Sequence, residues 1–265
     1  MDHMLFFSRS TFFLVSLLSL FACKPQPEPD LRILTFNIHH GETYDGKMDL
    51  EAMAEVIRSV NPHLVALQEV DVHTSRVNGV SQIEVLAEYC GMNSYFAKAL
   101  DFGGGEYGNG VLSVYPILSA TTRQLPSSAD REQRVAADCR IALPGDTIRF
   151  LSTHLDHLSK NPDRPAQARA LLEAYHNDPL PSILAGDLND RPESEALEIL
   201  QQFWTLSGAP DDFTTPVEKP DRKIDYILYA PKNGWRVISS QVLSEPVSDH
   251  LAVFTVLRKV SGPGV

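Results

Sequence analysis

Short polar motifs recur along this chain, and each one ends or opens an apolar run of about the length of a β-strand. In chain order they are Thr35-Phe36-Asn37-Ile38-His39, Leu67-Gln68-Glu69-Val70, Ser152-Thr153-His154-Leu155, Gly186-Asp187-Leu188-Asn189, Ile224-Asp225-Tyr226 and Ser248-Asp249-His250. Layered α/β proteins gather their ligands and reacting groups at the ends of strands. The pattern therefore predicts one site, built from several strands and rich in carboxylate, amide and imidazole groups.

The rest of the pattern predicts a mixed α/β domain. Ten segments have the composition and the Gly, Pro or Asp boundaries of strands: Leu31–Ile38, Leu64–Val70, Tyr95–Leu100, Gly110–Tyr115, Val135–Leu143, Thr147–His154, Ser182–Asp187, Ile224–Tyr229, Arg236–Leu243 and Leu251–Leu257. Four segments have helical periodicity: Asp49–Val60, Gln82–Cys90, Ala166–Tyr175 and Ser194–Gln202.

The residue types in the motifs suit divalent-metal chemistry on phosphoesters. A carboxylate such as Glu69 is a ligand of the kind that Mg²⁺ prefers. Asp187 and Asn189 lie two residues apart, so continued strand geometry would point both to one side. Histidine is the side chain best suited to moving protons near neutral pH. Taken singly, a Gly-Asp-x-Asn stretch is an ordinary turn and a lone histidine an ordinary core residue, but the joint occurrence favours a functional site.

Together these motifs resemble the endonuclease/exonuclease/phosphatase superfamily over about Leu31 to Leu257. The resemblance implies a four-layer α/β sandwich, in which helices flank two mixed β-sheets. It also implies a hydrolase that depends on Mg²⁺ or Mn²⁺, with the metal ligands Glu69, Asn37 and Asp249. The catalytic residues that it implies are Asp187, Asn189, His154, Asp225 and His250. Leu188 stands where phenylalanine is usual in that superfamily.

The resemblance also implies a mechanism. Water activated near Asp187 attacks phosphorus in line, and Asn189 positions the water or donates to the phosphate. Asp225 orients His250, while His154 is a second imidazole. The sequence leaves open which histidine acts as the acid.

Two further stretches resemble a bacterial branch of small secreted hydrolases in that superfamily. In the first, Gly104–Ser113, glycines would let the backbone approach a ligand, with Tyr107 and Asn109 aimed at the phosphate or the leaving group. The alternative is a flexible hairpin loop. The second stretch is Glu132-Gln133-Arg134, in which Arg134 either clamps a phosphate or faces water. Arg76 is a weaker candidate for the same role.

Composition limits the substrate class. The chain has 265 residues, enough for one large domain, and a formal net charge of −11. Proteins that bind nucleic acid usually show a basic face, so this acidity disfavours a dedicated nuclease without excluding one. The favoured substrate is a small phosphorylated metabolite or a phospholipid headgroup. We expect the enzyme to be a monomer. A nuclease and a non-catalytic binding protein on the same fold remain alternatives.

The N-terminus predicts export. Residues 1–22 have the short apolar core of a signal peptide, and Leu20-Phe21-Ala22-Cys23 resembles a bacterial lipobox. Lipidation at Cys23 would anchor the protein to the bacterial cell envelope on the extracytoplasmic side. A Pro-rich tether over 23–30 would then connect the anchor to the domain, which we expect over 31–260. The alternative is an ordinary cleaved signal peptide. Cys90 and Cys139 could form a disulfide there, although we favour two free thiols.

Overall fold

The computed structural model describes Met1 and residues 30–158 and 163–260. Cys23 and nearly all of the expected signal peptide lie outside the described residues, so both stay predictions. Among the helices of the described residues, none is long and apolar enough to cross a membrane. Asp30 opens the described domain, and its carboxylate pairs with both Nε and Nη2 of Arg258 at 2.7 Å.

The described residues form twelve strands and four α-helices. The first six strands are β1 Leu31–Asn37, β2 Leu64–Val72, β3 Asn93–Phe102, β4 Gly105–Ser113, β5 Ile117–Gln124 and β6 Val135–Leu143. The other six are β7 Asp146–His154, β8 Ser182–Asp187, β9 Thr205–Leu206, β10 Asp225–Ala230, β11 Trp235–Val242 and β12 Val253–Lys259. The helices are α1 Leu50–Ser59, α2 Gln82–Cys90, α3 Asp163–Tyr175 and α4 Glu195–Leu200.

The strands form two six-stranded mixed sheets, in the orders β11-β12-β1-β2-β4-β3 and β5-β6-β7-β8-β10-β9. Each sheet holds one parallel pair near its centre, β1 with β2 and β7 with β8. All other pairings in the two sheets are antiparallel. The carboxyl ends of two parallel pairs are thereby available to build a common site.

Three apolar cores hold the layers together. The central core lies between the two sheets and includes Ile33, Phe150 and Ile183. A second core joins the first sheet to α1 and α2, and a third joins the second sheet to α3 and α4. Helix, sheet, sheet and helix therefore follow one another, which confirms the four-layer α/β sandwich that the resemblance implies.

The sequence did not predict β5 or β9. Both lie at an edge of the second sheet, and β5 is at most half-buried along its length, so its residues do not show a strong apolar pattern. Its pairing with β6 defines it instead. The free thiols favoured for Cys90 and Cys139 are confirmed.

The glycine-rich stretch is not the flexible hairpin loop that the sequence left as an alternative, because Gly105–Ser113 form strand β4. A Cβ on Gly108 would lie 2.0 Å from the carbonyl oxygen of Ala97 on the paired strand β3. Glycine at this position therefore admits the neighbouring strand, and not a ligand as the sequence suggested. The turn between β3 and β4 is confined to Gly103 and Gly104, which both have positive φ angles.

Candidate active site

The polar motifs meet where the two parallel strand pairs end. Asn37 is the last residue of β1, and Glu69 lies in β2 one residue beyond the last pair that the two strands form. In the second sheet His154 ends β7 and pairs in register with Asp187, the last residue of β8. Asp225 opens β10 opposite Asp187. Strand ends from both sheets thus bring five predicted site residues together.

Glu69 reaches the site because the strand is irregular there. The pairing of β2 with β4 shifts register between Leu67 and Val70, and Glu69 has a left-handed backbone with φ of 58°. Bulges of this kind re-aim a side chain. Burial raises the pKa of the Glu69 carboxyl, but the nearby ring of His40, the hydrogen bond from Asn37 and the positive charge of His250 outweigh it and hold this pKa well below its usual range. Glu69 is therefore a carboxylate at neutral pH.

Asp187 is the hub of the site and is 1% exposed. Its Oδ1 accepts the backbone N–H of Asn189 at 2.8 Å, and its Oδ2 accepts the amide of Asn37 at 3.2 Å. The same Oδ2 lies 3.5 Å from Nε2 of His154 and 3.8 Å from Nε2 of His250. Burial, followed by repulsion from Asp225, raises the pKa of Asp187 to about 7. This carboxyl can therefore exchange a proton near neutral pH.

Close packing of the strands fixes Asp187 in place. The residue before it, Gly186, has φ of 152°, and a Cβ there would lie 1.9 Å from the carbonyl oxygen of Thr153 on β7. Only glycine permits this approach. The glycine of the Gly-Asp-x-Asn motif thus sets the spacing between His154 and Asp187 at the ends of their strands.

A charged pair stands behind Asp187. Nδ1 of His250 donates to Oδ2 of Asp225 at 2.8 Å, and Oγ1 of Thr214 donates to the same oxygen at 2.6 Å. Burial alone would lower the pKa of His250, but the carboxylates of Asp225 and Asp187 raise it to about 10. His250 is therefore an imidazolium at neutral pH, oriented by Asp225 as the resemblance implies.

The second imidazole, that of His154, has the opposite charge state. Burial and the neighbouring charge of Arg134 lower the pKa of His154 well below its usual value. Nδ2 of Asn189 donates to Nε2 of His154 at 2.8 Å and to the carbonyl of Leu155 at 3.1 Å. Asn189 thus orients a neutral His154 in this arrangement, and its amide hydrogens are engaged by the protein. Two histidines with opposite charge states flank one carboxylate, a pattern typical of acid–base sites.

These groups open into a cavity of 370 Å³. It is lined by Glu69, Arg76, Leu100, Phe102, Tyr107, Glu132, Arg134, His154, His157, Asp187, Asn189 and His250. Arg134 is 3% exposed, and its Nε has no partner among the described residues although its Nη2 contacts Glu132 at 3.0 Å and His157 at 2.9 Å. A buried guanidinium with a free donor suits an anion.

Two aromatic rings, Phe102 and Tyr107, form an aromatic wall of the cavity. The guanidinium of Arg76 lies 4.5 Å from the ring centre of Phe102 and 5.6 Å from that of Tyr107. Asp71, which is fully buried, holds Arg76 through two bonds of 2.6 and 2.8 Å. Burial and the charge of Glu69 raise the pKa of Tyr107 far above its usual value, so its hydroxyl remains a donor. Arg76 and Tyr107 therefore reach the cavity, as the sequence suggested.

Residues 34–250 match the model of the Endonuclease/Exonuclease/phosphatase family. The chain belongs to this family. Membership supports hydrolysis of phosphoester bonds, of the phosphatase or nuclease type, as its general chemistry. No curated protein sequence matches the chain.

Solved structures of the family share the fold at low sequence identity. An endonuclease/exonuclease/phosphatase from Beutenbergia cavernae is 24% identical, with a TM-score of 0.71 over 89% of this chain and 73% of that one. A mannosyl-6-phosphatase from Bacteroides thetaiotaomicron is 18% identical, with a TM-score of 0.70 over 86% and 99%. The human nocturnin catalytic domain, solved with a bound sulfate anion, is 19% identical, with a TM-score of 0.70 over 88% and 94%.

Besides Asn189, whose amide binds His154 and Leu155 and not a phosphate, three predicted residues have surroundings that differ from the family-based expectation. Asn37 does not turn its oxygen to the cavity, because Oδ1 accepts the backbone N–H of His39 at 3.0 Å while Nδ2 donates to Glu69 at 3.1 Å and to Asp187. It orients two carboxylates. Asn109 is buried between the sheets and donates to the carbonyl of Val135 at 2.9 Å, so it does not line the cavity. Asp249 is bonded to Ser248 at 3.2 Å and does not line the cavity either.

The site nevertheless fits a divalent cation. Glu69 is ionised and 23% exposed at the cavity wall, and its Oε2 has the ring of His40 4.0 Å away. Two groups of three potential ligands occur among the described residues. One consists of Asp187, Asp225 and His250, and its hydrogen-bonded imidazolium already compensates the carboxylates. The other consists of His39, His40 and Glu69, and sequence reasoning gave neither histidine a role. His39 ends the Asn37 motif and His40 follows it directly, and this position was the only sequence signal for either residue.

Proposed function

We propose that this protein is a divalent-metal-dependent phosphoesterase that cleaves a phosphomonoester or phosphodiester by in-line attack of water. The observation that carries the proposal is the position of Asp187. Within one arginine-lined cavity it contacts the orienting amide of Asn37 and lies within 4 Å of two imidazoles of opposite charge state. Positioning and electrostatics provide most of the catalysis of phosphoryl transfer.

Each group has a role in that reaction. Asp187, with its pKa of about 7, accepts a proton from the attacking water. His250 stays cationic and stabilises negative charge on the phosphoryl oxygens, while Asp225 holds its ring. Arg134 binds a phosphate oxygen through its free donor. A cation held by Glu69 would offset further charge in the transition state and stabilise the leaving oxygen.

The favoured substrate is a small phosphorylated metabolite or a phospholipid headgroup. A cavity of 370 Å³ with one aromatic wall accommodates a phosphate and a small leaving group. The structural likeness to a mannosyl-6-phosphatase is consistent with a sugar phosphate. A lipid anchor at Cys23 would bring the site to membrane lipids or to metabolites of the envelope.

A substrate panel tests the proposal. Phospholipids, inositol phosphates, sugar phosphates and plasmid DNA are each incubated with Mg²⁺, with Mn²⁺ and with a chelator. We expect hydrolysis of a small phosphoester or a headgroup, and no hydrolysis in chelator. Turnover that persists in chelator would contradict a metal-dependent mechanism.

One observation favours an extracytoplasmic nuclease as a second candidate. A cavity of 320 Å³ adjoins the site at Asn189 and is lined by three arginines, Arg164, Arg191 and Arg222. Phosphates of a longer substrate could bind there. Asp190 and Asp221 already pair with Arg164 and Arg222, at 3.1 and 3.5 Å, which weakens this argument. Plasmid nicking at a rate comparable with the hydrolysis of the best small substrate would favour a nuclease as the function.

A further inference from the structure

Two adjacent histidines stand beside Glu69 with unused ring atoms. The potential ligand atoms of His39, His40 and Glu69 all lie within 4.8 Å of one another. Nδ1 of both histidines is buried and has no hydrogen-bond partner. Buried polar atoms in native proteins are nearly always bonded, so each exception calls for an explanation. A ligand shared by the two rings and the carboxylate would provide one.

The backbone brings these side chains together under strain. His39, His40 and Glu69 all have left-handed φ angles, of 44°, 45° and 58°. Such a conformation is uncommon for residues other than glycine, and it clusters at functional sites. The fully buried Gln82 holds the turn, since its Nε2 donates to the carbonyl of His40 while its Oε1 accepts the N–H of Asp71 at 2.9 Å. The turn is thereby fixed above the bulge that carries Glu69.

His40 also has the surroundings of a metal-bound imidazole. Its Nδ1 lies 4.0 Å from Oε2 of Glu69, and its Nε2 lies 3.5 Å from Oε2 of Glu42 on the opposite side of the ring. Histidines that bind metals commonly present their second nitrogen to a carboxylate, which fixes the ring and raises its basicity. Glu42 occupies the place of that carboxylate.

We propose that His39, His40 and Glu69 form a three-ligand site that selects a transition-metal ion such as Zn²⁺ over Mg²⁺. Mg²⁺ prefers oxygen ligands, whereas imidazole nitrogen favours first-row transition metals. At Zn–N distances of about 2.1 Å, tetrahedral ligand atoms are about 3.4 Å apart. The ligand atoms would therefore have to approach one another by up to about 1.4 Å when the ion binds. This inference rests on the proposed function only through Glu69, the ligand that both share.

Equilibrium metal binding to the full chain, without substrate, tests the proposal. The metal-free protein is titrated with Zn²⁺ and with Mg²⁺ by calorimetry, and with Co²⁺ by visible absorption, which reports nitrogen ligation. The variants are His39→Gln, His40→Gln, the double variant and Glu69→Gln. His176→Gln is the matched control, since His176 is exposed at the end of α3. Thermal melts confirm folding.

We expect one Zn²⁺ site per chain that binds more tightly than Mg²⁺. Each histidine variant should lower Zn²⁺ affinity by about 10- to 100-fold and weaken the Co²⁺ spectrum. The same variants should leave Mg²⁺ affinity nearly unchanged, and His176→Gln should bind as the wild type does.

Wild-type Zn²⁺ affinity in the folded double variant would overturn the inference, as would a wild type that binds Mg²⁺ as tightly as Zn²⁺. If Zn²⁺ bound instead to the group of Asp187, Asp225 and His250, the double variant would keep wild-type Zn²⁺ affinity. The proposed function would still stand if Glu69→Gln then removed Mg²⁺-dependent hydrolysis. Conversely, loss of Zn²⁺ binding in the double variant, with no hydrolysis of any panel substrate by the wild type, would support the metal site and remove the proposed function.

Discussion

Replacing Asp225 by asparagine isolates the charge that holds His250. Asp225 is 1% exposed, and its Oδ2 accepts from Nδ1 of His250 at 2.8 Å and from Thr214 at 2.6 Å. Asparagine keeps the size of the side chain and can still accept one hydrogen bond. The change therefore removes a negative charge from behind the imidazolium with little change in packing.

The size of the effect follows from that contact. A hydrogen bond to a charged group contributes about 1.5–3 kcal/mol, and one pKa unit corresponds to about 1.4 kcal/mol. The pKa of His250, now about 10, should therefore fall by about one to two units. Because the ring also loses its orientation, we expect kcat to fall by about 10- to 100-fold, a barrier increase of about 1.4–2.8 kcal/mol.

The assay is the pH dependence of hydrolysis, together with NMR titration of the histidine rings. The alkaline limb of the pH profile should move to lower pH in Asp225→Asn, because His250 loses its proton earlier. Thr214→Val is the matched control. It removes the other hydrogen bond to the same oxygen and retains the charge, so its alkaline limb should stay close to that of the wild type.

An unchanged His250 titration in folded Asp225→Asn would refute the reasoning. It would mean that Asp187, 3.8 Å away, holds the proton on His250 by itself. An equal shift in Thr214→Val would also refute it, since the effect would then come from packing and not from charge.

Three further predictions concern the same site and the location of the protein. Asp187→Ala and His250→Ala should each lower kcat by orders of magnitude, and the double variant should lose much less than the product, because groups that act together are non-additive; independent, multiplicative losses would separate their roles. The pKa of Asp187 is about 7 in the metal-free protein, so at limiting divalent cation the proton acceptor is lost below pH 7 and the rate should fall about tenfold per pH unit, and a higher cation concentration should move this acid limb to lower pH; a rate that is flat from pH 7 to pH 5 at limiting cation would exclude Asp187 as the base. Cys23→Ser should abolish labelling by palmitate in bacteria, and an unlabelled wild type would indicate simple secretion.

The sequence predicted the strands of this fold where their composition was decisive. Buried central strands such as β1, β6 and β8 have apolar runs with sharp boundaries, and their predicted bounds agree with the structure to within one residue. The edge strand β5 was not predictable in that way, because it takes its conformation from pairing with β6. The extension of β4 through its glycines depends on the close approach of β3, which no local pattern reveals.

Within the site, residue identity was predictable and contact geometry was not. Strand-end motifs located Glu69, Asp187 and His250, because these polar groups interrupt apolar runs. The orientation of the Asn37 and Asn189 amides depends on partners up to 150 residues away. The opposite charge states of His154 and His250 likewise arise from burial and from neighbours on other strands. His39 and His40 became candidates only when the bulge brought Glu69 beside them.

Hydrolysis of an activated aryl phosphate diester by the wild type and by Glu69→Gln tests the central claim most directly. Each protein is assayed with Mg²⁺, with Mn²⁺ and with chelator, and thermal melts establish that the variant is folded. We expect turnover by the wild type with metal, none in chelator, and a strong loss in Glu69→Gln that higher metal concentration partly restores. Equal turnover by the two proteins, or full turnover in chelator, would contradict a metal-dependent phosphoesterase built around Glu69 and Asp187.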